Sequence, residues 1–196
     1  MKTNTQDNRH RVLQVASEII GCKGFSAVGL NEILTASGIP KGSFYHYFAS
    51  KEDFGAAMLE DYFSNYLANL DMLMVQPVSS KEKLMSYWLG WLDTGEGDIP
   101  KGHKCLAVKL GAEVSDLSVT MREVLHRGTG NIVKQLAKMV EGMIAEGDLL
   151  SPPEGVVDFA QALYQLWLGA SLMGKMTNNA EPLQVALRLT HRLLQR

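Results

Sequence analysis

Residues 36–48 read Ala-Ser-Gly-Ile-Pro-Lys-Gly-Ser-Phe-Tyr-His-Tyr-Phe, and they indicate how the N-terminal part of the chain folds. Gly38 suits the left-handed backbone of a tight turn, and Pro40 stops the helix that precedes it. Apolar spacing predicts one short helix before this turn and another after it. The sequence therefore predicts a helix-turn-helix, in which the second helix begins at Lys41.

The helical spacing of apolar residues continues through the chain, and no sustained alternation marks a strand. A serine three residues before a carboxylate at 50–53, 79–82 and 151–154 predicts three helix starts. The fold is predicted to be all-α, with about nine helices. Their approximate spans are 7–22, 30–37, 41–47, 51–74, 80–93, 103–115, 118–146, 153–177 and 181–195.

Composition narrows the class of protein. The chain has 196 residues, 46% of them hydrophobic and 20% charged, which is typical of a globular domain. No apolar run approaches the roughly 18 to 20 residues of a membrane-spanning helix, and the first residues lack a secretory signal. The two cysteines are too few for a disulfide framework, so we expect free thiols. A cytoplasmic protein without a membrane partner is expected.

The net charge of −2 conceals an uneven distribution. Residues 1–52 carry six of the 19 basic residues but only four of the 21 acidic ones. A basic N-terminal segment on an acidic remainder is the polarity expected when only that segment meets phosphate.

Residues 24–54 resemble the DNA-binding domain of TetR-family transcriptional repressors. The resemblance rests on Gly24-Phe25, Leu30-Asn-Glu-Ile33, Ala36-Ser-Gly-Ile39, Lys41-Gly-Ser-Phe-Tyr-His-Tyr-Phe48 and Ser50-Lys-Glu-Asp-Phe54. It implies a three-helix DNA-binding domain over residues 1–50 and an effector-sensing and dimerisation domain over 51–196. It also implies a homodimer that binds palindromic double-stranded DNA.

The predicted helix from Lys41 has one face that packs and one that is available for DNA. Phe44 and Phe48 share the first face, whereas Lys41 and Tyr45 share the second. A helix N-terminus attracts phosphate, and glycine lets the backbone approach it closely. The predicted DNA contacts are Lys41, Gly42, Ser43, Tyr45, His46 and Lys51. The alternative for these side chains is a solvated surface without a DNA role.

Lys51 is singled out because a cation in the first turn of a helix is disfavoured by the helix dipole, and a facing phosphate would explain it. Two positions depart from the common family pattern. Val28-Gly29 stands where many members have two threonines, so we expect no phosphate contact there and weak capping by Gly29. Pro40 stands where a capping serine is usual.

The segment Pro100-Lys-Gly-His-Lys-Cys105 predicts a sensing thiol. Cys105 is placed in the first turn of a predicted helix, with His103 and Lys104 before it and Lys109 one turn later. Amides and positive charge there would lower the pKa of the thiol below about 8.5 and favour the reactive thiolate. The alternative is a buried, inert thiol.

Two further segments resemble the electrophile-responsive TetR repressors that control reductases of N-ethylmaleimide and related compounds. They are residues 104–114 and Leu166-Trp-Leu-Gly-Ala170, which leads to Lys175. The resemblance singles out Lys175 as a residue that stabilises the thiolate or reacts with its oxidised sulfur. The alternative for Lys175 is a side chain that snorkels to solvent. Reversible binding of an uncharged small molecule is the alternative mechanism of release.

An enzyme is the alternative from another class. Glu123-x-x-His126 has the spacing of a di-iron motif, but no second such pair occurs. A helical thiol or di-iron enzyme therefore stays the minor hypothesis, and we predict no catalytic residue, metal or cofactor. Cys22, between Gly21 and Gly24, is expected to be a buried structural thiol.

The last two predicted helices carry apolar stripes that suggest a four-helix dimer interface or, alternatively, the monomer core. The stripe residues are Phe159, Leu163, Leu166, Trp167 and Ala170 in one helix and Leu183, Leu187 and Leu194 in the other. Aromatic residues and methionines of this domain are candidates to line a small-molecule cavity or to pack in the core. They are Tyr87, Trp88, Trp91 and Trp167 with Met85, Met139, Met143 and Met173.

Overall fold

The computed structural model describes residues 2–94 and 100–195, with side chains from residue 8 onward except those of residues 103 and 104. Within these ranges the chain is all-α, as predicted. The nine helices are α1 (Lys2–Lys23), α2 (Leu30–Ser37), α3 (Lys41–Tyr47), α4 (Lys51–Met74), α5 (Ser80–Leu92), α6 (Leu106–Leu117), α7 (Val119–Ala145), α8 (Val156–Thr177) and α9 (Glu181–Leu193). A 3-10 turn, Lys101–Lys104, precedes α6. None of the described helices is long and apolar enough to cross a membrane.

The predicted turn between α2 and α3 is confirmed. Gly38 ends α2 in the left-handed conformation, with φ 68° and ψ 26°. Pro40 is extended and directly precedes α3, while Gly29 precedes α2 without a side-chain cap. Because Gly38 carries no Cβ, the chain reverses here at little steric cost.

Two of the three predicted helix starts are confirmed. The hydroxyl of Ser50 accepts the Asp53 amide at 3.0 Å, and the Asp53 carboxylate accepts the Ala49 amide at 2.9 Å. Ser79 and Glu82 form the same reciprocal capping box at α5. Each box satisfies backbone donors that the first turn would otherwise leave without partners.

The third predicted start, at residues 151–154, is wrong. The Gly155 amide donates to the Pro152 carbonyl at 3.0 Å, which closes a turn, and α8 begins only at Val156. Gly155 has φ 91°, a conformation that a helix does not contain. The proline pair therefore belongs to a turn, and the serine three residues before Glu154 does not cap α8.

The chain forms two compact units, each built from two segments. The first comprises Met1–Tyr66 and Lys109–Gly128. Its aromatic core joins Phe44, Phe48 and Phe54, whose ring centroids lie 5.1 to 5.2 Å apart. These three side chains are buried, so the apolar face of α3 is held firmly in place.

The second unit comprises Leu67–Val108 and Thr129–Arg196. Trp88 and Trp167 stack in its core with centroids 4.7 Å apart and planes 9° from parallel. Glu146 accepts hydrogen bonds from the amide of Ser80 at 2.9 Å and from its hydroxyl at 2.7 Å. These bonds tie the start of α5 to the end of α7.

The interpretation of the stripes on α8 and α9 as a dimer interface is wrong for most of their residues. Phe159, Leu163 and Trp167 are buried within the chain itself, as are Leu183 and Leu194. They belong to the monomer core because α8 and α9 turn these faces toward their own chain. Other apolar residues of the two helices are exposed, namely Val157, Leu172, Met173, Met176, Val185 and Leu189.

Candidate DNA-binding surface and cysteine site

The surface of α3 carries most of the predicted DNA contacts. Lys41, Gly42 and His46 are exposed, Tyr45 is 51% exposed, and Ser43 is half-buried. The opposite face is buried through Phe44. The short helix thus presents donors to solvent from a rigid support, which is the arrangement of a recognition helix.

Lys51, a predicted phosphate contact, also binds a group within its own chain. Its Nζ donates to the Phe25 carbonyl at 3.1 Å and lies 4.8 Å from the centroid of the Phe25 ring. These contacts compensate for a cation in the first turn of α4, for which the sequence analysis had offered a facing phosphate as the explanation. The phosphate contact of Lys51 stays a prediction.

A carboxylate that sequence reasoning missed holds the turn between α1 and α2. Glu113 of α6 accepts the amide of Phe25 at 3.1 Å and that of Ser26 at 2.6 Å. Burial raises the pKa of Glu113, but the hydrogen bonds from Ser26 and Phe25 and the charge of Lys109 outweigh it, so the net shift is downward. No signal in the sequence pairs residues 88 positions apart, because the contact depends on tertiary structure.

Cys105 is 7% exposed and lies directly before α6. The prediction that it sits inside the first helical turn is wrong by one position, because Lys101–Lys104 form a 3-10 turn and α6 starts at Leu106. The Cys105 amide donates to the Gly102 carbonyl at 3.3 Å. The thiol still adjoins the amides that begin α6. The predicted charges of His103 and Lys104 lie on side chains outside those that the structure describes.

Lys175 lies in the last turn of α8 and is half-buried. One turn earlier, the buried hydroxyl of Ser171 donates to the Gly102 carbonyl at 2.6 Å. The end of α8 is therefore bonded to the turn that leads into Cys105. Both residues that the sequence singled out for sensing belong to the second compact unit.

The other cysteine departs from expectation. Cys22 is exposed, so its interpretation as a buried structural thiol is wrong. It occupies the solvent side of the last turn of α1. Glu123 and His126 are likewise exposed. In the part of the chain that the structure describes, no group of three or more acidic, histidine or cysteine side chains is arranged to hold a metal ion.

An aromatic cluster surrounds the stacked pair of Trp88 and Trp167. Trp91 packs edge-on against both at 5.8 and 6.0 Å, and Tyr164 packs against Trp91 at 6.4 Å. The indole Nε1 of Trp167 donates to the hydroxyl of Thr190 at 3.0 Å. The indole Nε1 of Trp88, also fully buried, has no hydrogen-bond partner. The cluster therefore contains one buried donor that packing alone leaves unsatisfied.

Two family models match the chain. Residues 12–58 match the model of bacterial regulatory proteins of the tetR family, and residues 80–190 match that of the tetracyclin repressor-like C-terminal domain. The second match alone covers more than half of the chain. The first spans α2 and α3 together with the start of α4.

Relatives match over nearly the whole length. The HTH-type transcriptional repressor NemR of Escherichia coli K12 is 36% identical over 189 residues, which cover 95% of this chain and 93% of NemR. The HTH-type transcriptional repressor DhaR of Mycobacterium sp. GP1 is 30% identical over 196 residues, with coverage of 95% and 91%.

A solved structure agrees with these matches. The crystal structure of the reduced form of E. coli NemR superposes with a TM-score of 0.88 at 35% identity, and covers 96% of this chain and 97% of that one. Sequence and fold therefore agree from the helix-turn-helix to the last helix, and the chain belongs to the TetR family of bacterial regulatory proteins and is a DNA-binding transcriptional regulator.

Proposed function

We propose that this chain is a cytoplasmic repressor that binds a palindromic operator as a homodimer and is released by reactive electrophiles or oxidants at Cys105. Residues 1–50 bind DNA, and residues 51–196 sense the effector and dimerise. The observation that carries the DNA-binding part is the exposed polar face of α3 above its buried phenylalanine core.

The proposed contacts divide into two kinds. Lys41, Ser43 and Lys51 offer donors to phosphate, which position the protein, while Tyr45 and His46 also reach toward base edges. A Cβ at Gly42 would meet nothing of this chain within 4 Å, so this side of the backbone is open, and the lack of a side chain lets the backbone come close to the duplex.

Footprinting of purified protein on its own promoter DNA tests the proposal. A protected palindrome occupied by two chains is expected, and binding by a single chain contradicts it.

The exposed apolar residues of α8 and α9 form the proposed dimer face. Met176 is 71% exposed, and further exposed residues of the two helices are also apolar, so a second copy that covered them would remove apolar surface from water. Two-fold symmetry suits this arrangement because an isologous contact places two α3 helices on the two half-sites of a palindrome. Replacement of Met176 by Glu should shift the protein toward monomer in analytical ultracentrifugation.

The proposed sensing step is addition of the Cys105 thiolate to an electrophile. The amides at the start of α6 favour the thiolate. With N-ethylmaleimide, the sulfur forms a C–S bond to one alkene carbon, the alkene electron pair moves to a carbonyl as an enolate, and the other alkene carbon takes a proton from water. Because Cys105 is largely buried, an adduct cannot fit without displacement of its neighbours.

Lys175 is the proposed partner of the oxidised thiol. Hypochlorous acid transfers chlorine to the thiolate and releases hydroxide, and neutral Lys175 then displaces chloride, which forms an S–N bond and releases a proton. The Ser171–Gly102 hydrogen bond supports this pairing, because it joins the turn before Cys105 to the turn of α8 before Lys175. Mass spectrometry after hypochlorite treatment tests it. A crosslinked peptide that contains both residues is expected, and its absence in the released protein contradicts the pairing.

A second mode of release is favoured by the aromatic cluster around Trp88. The unsatisfied indole N–H in an apolar surrounding suits an uncharged ligand with a hydrogen-bond acceptor. In this mode release needs no thiol chemistry. Release that survives the Cys105→Ser substitution would favour it over the covalent mode.

A further inference from the structure

The carboxylate of Glu113 joins α6 to the DNA-binding segment. It accepts the amides of two successive residues, Phe25 and Ser26, in the turn that separates α1 from α2. These contacts lie within the first compact unit, to which the second half of α6 belongs. The opposite side of the turn is bound by Lys51, whose Nζ donates to the Phe25 carbonyl.

The turn is shaped to receive this carboxylate. Gly24 has φ 95°, and a Cβ at that position would stand 3.0 Å from the Oε2 atom of Glu113. A side chain there would be strained and would also push the carboxylate away. Glycine at this position therefore favours the approach of Glu113 to both amides.

The contact of Glu113 with Phe25 and Ser26 joins α6 to the turn between α1 and α2 and lies outside the aromatic core. Glu113 is half-buried, and the bond to Ser26 lies at the exposed rim of the unit. The core of the DNA-binding segment closes around Phe44, Phe48 and Phe54 without it. If the carboxylate were removed, water could reach the Ser26 amide at this exposed rim, so the segment should still fold.

We propose that Glu113 is the positioning residue through which α6 controls the DNA-binding segment. This inference rests on the proposed release at Cys105. Helix α6 begins one residue after that thiol and runs without interruption to Leu117, so Glu113 follows any shift or rotation of its first turn. A movement of the carboxylate pulls on the Phe25–Ser26 turn and reorients α2, which carries the turn to α3. Loss of the Glu113 carboxylate uncouples α6 from the Phe25–Ser26 turn. The repressor then stays on DNA after the Cys105 thiol has reacted.

The test compares operator dissociation constants before and after N-ethylmaleimide treatment in wild type, Glu113→Gln and Glu123→Gln. Glutamine keeps the size of the side chain, but its carbonyl oxygen can accept only one of the two amides through the original geometry, while its NH2 group faces the other amide as donor against donor. Glu123 is exposed on α7 and serves as the matched control. We expect treatment to raise the operator dissociation constant of wild type and of Glu123→Gln about tenfold or more. The increase in Glu113→Gln should be several-fold smaller. A merely structural role would alter melting or basal affinity but would leave this ratio unchanged.

The outcomes separate the two proposals. An equal ratio in wild type and folded Glu113→Gln overturns the role of Glu113 and leaves electrophile release intact. A ratio near one in wild type overturns the proposed release, and with it the role of Glu113 as its transmitter. If Glu113→Gln does not fold, the same ratio is measured in Glu113→Asp. Aspartate keeps the charge but is too short to reach both amides, so the ratio should again be smaller than in wild type. Failure of both variants to fold overturns the proposal, since Glu113 would then be part of the folding core.

Discussion

Ser171 of α8 donates a 2.6 Å hydrogen bond from its buried hydroxyl to the carbonyl of Gly102. Gly102 also packs closely on Trp91, because a Cβ there would meet the indole ring and the Trp91 carbonyl at 3.0 Å each. The turn before Cys105 is therefore held between α5 and α8. Cys105 is itself largely buried, so we expect the opening of this turn to determine how fast an electrophile reaches the thiol.

Ser171→Ala should loosen that turn. The substitution removes the shorter of the two hydrogen bonds that the Gly102 carbonyl accepts and leaves the one from the Cys105 amide at 3.3 Å, so we expect the free energy of unfolding to fall by about 0.5 to 1.5 kcal/mol. Alkylation of Cys105 by N-ethylmaleimide should accelerate, because the turn opens more often. The measurement is peptide mass spectrometry over time. Exposed Cys22 is the internal control, and an unchanged rate at Cys105 contradicts the account.

Tyr45→Phe and Lys41→Ala should weaken operator binding without loss of the fold. Removal of one hydroxyl hydrogen bond costs about 1 kcal/mol, which is roughly fivefold in affinity. Removal of a lysine that neutralises one phosphate should lower the slope of log affinity against log salt by about one. Lys138→Ala, at an exposed site on α7, is the control. Wild-type affinity and salt slope in both variants would contradict the contact map.

The sequence predicted best what local geometry determines. Gly38 and the Ser50–Asp53 box each depend on a few neighbouring residues, so their patterns were sufficient to place a turn and a helix start. The pattern at 151–154 was misleading because the Pro152–Gly155 turn competes with the helix for the same residues. Local patterns thus succeed where one local structure is clearly favoured.

What depends on tertiary packing was not predictable. The spacing of Leu163 and Trp167 showed an apolar stripe but not whether it faces its own chain or a second copy, and the structure places both in the monomer core. The exposure of Cys22 was missed for the same reason. Glu113 gave no signal at all, because its partners are brought to it only by the fold.

Trp88→Phe should destabilise the protein less than Trp167→Phe. Both indoles are fully buried and lose similar apolar contact, but only the Trp167 N–H has a partner, the hydroxyl of Thr190. Its removal breaks a hydrogen bond, whereas loss of the Trp88 N–H removes a donor that is already unsatisfied. We expect a difference of about 1 kcal/mol or more in urea unfolding. Equal destabilisation would indicate that the Trp88 donor carries no penalty.

Gly128→Ala should destabilise the first unit, since its Cβ would overlap the Phe63 ring where α7 packs on α4. Overpacking of this kind typically costs about 1 to 3 kcal/mol. Gly130→Ala on the same helix meets nothing within 4 Å and should instead stabilise by about 0.5 to 1 kcal/mol through helix propensity. In thermal denaturation, the melting temperature should fall below that of wild type in Gly128→Ala and rise above it in Gly130→Ala. A shift of the same sign would contradict the packing described here.

Operator release by N-ethylmaleimide, measured in wild type, Cys22→Ser and Cys105→Ser, shows whether the Cys105 thiol controls DNA binding. Neither cysteine forms a disulfide within the described part of the chain, and the two differ in exposure and in their position relative to α6. We predict that the reagent releases DNA from wild type and from Cys22→Ser, while Cys105→Ser stays bound. Equal release from wild type and Cys105→Ser would contradict the claim that this thiol controls the repressor.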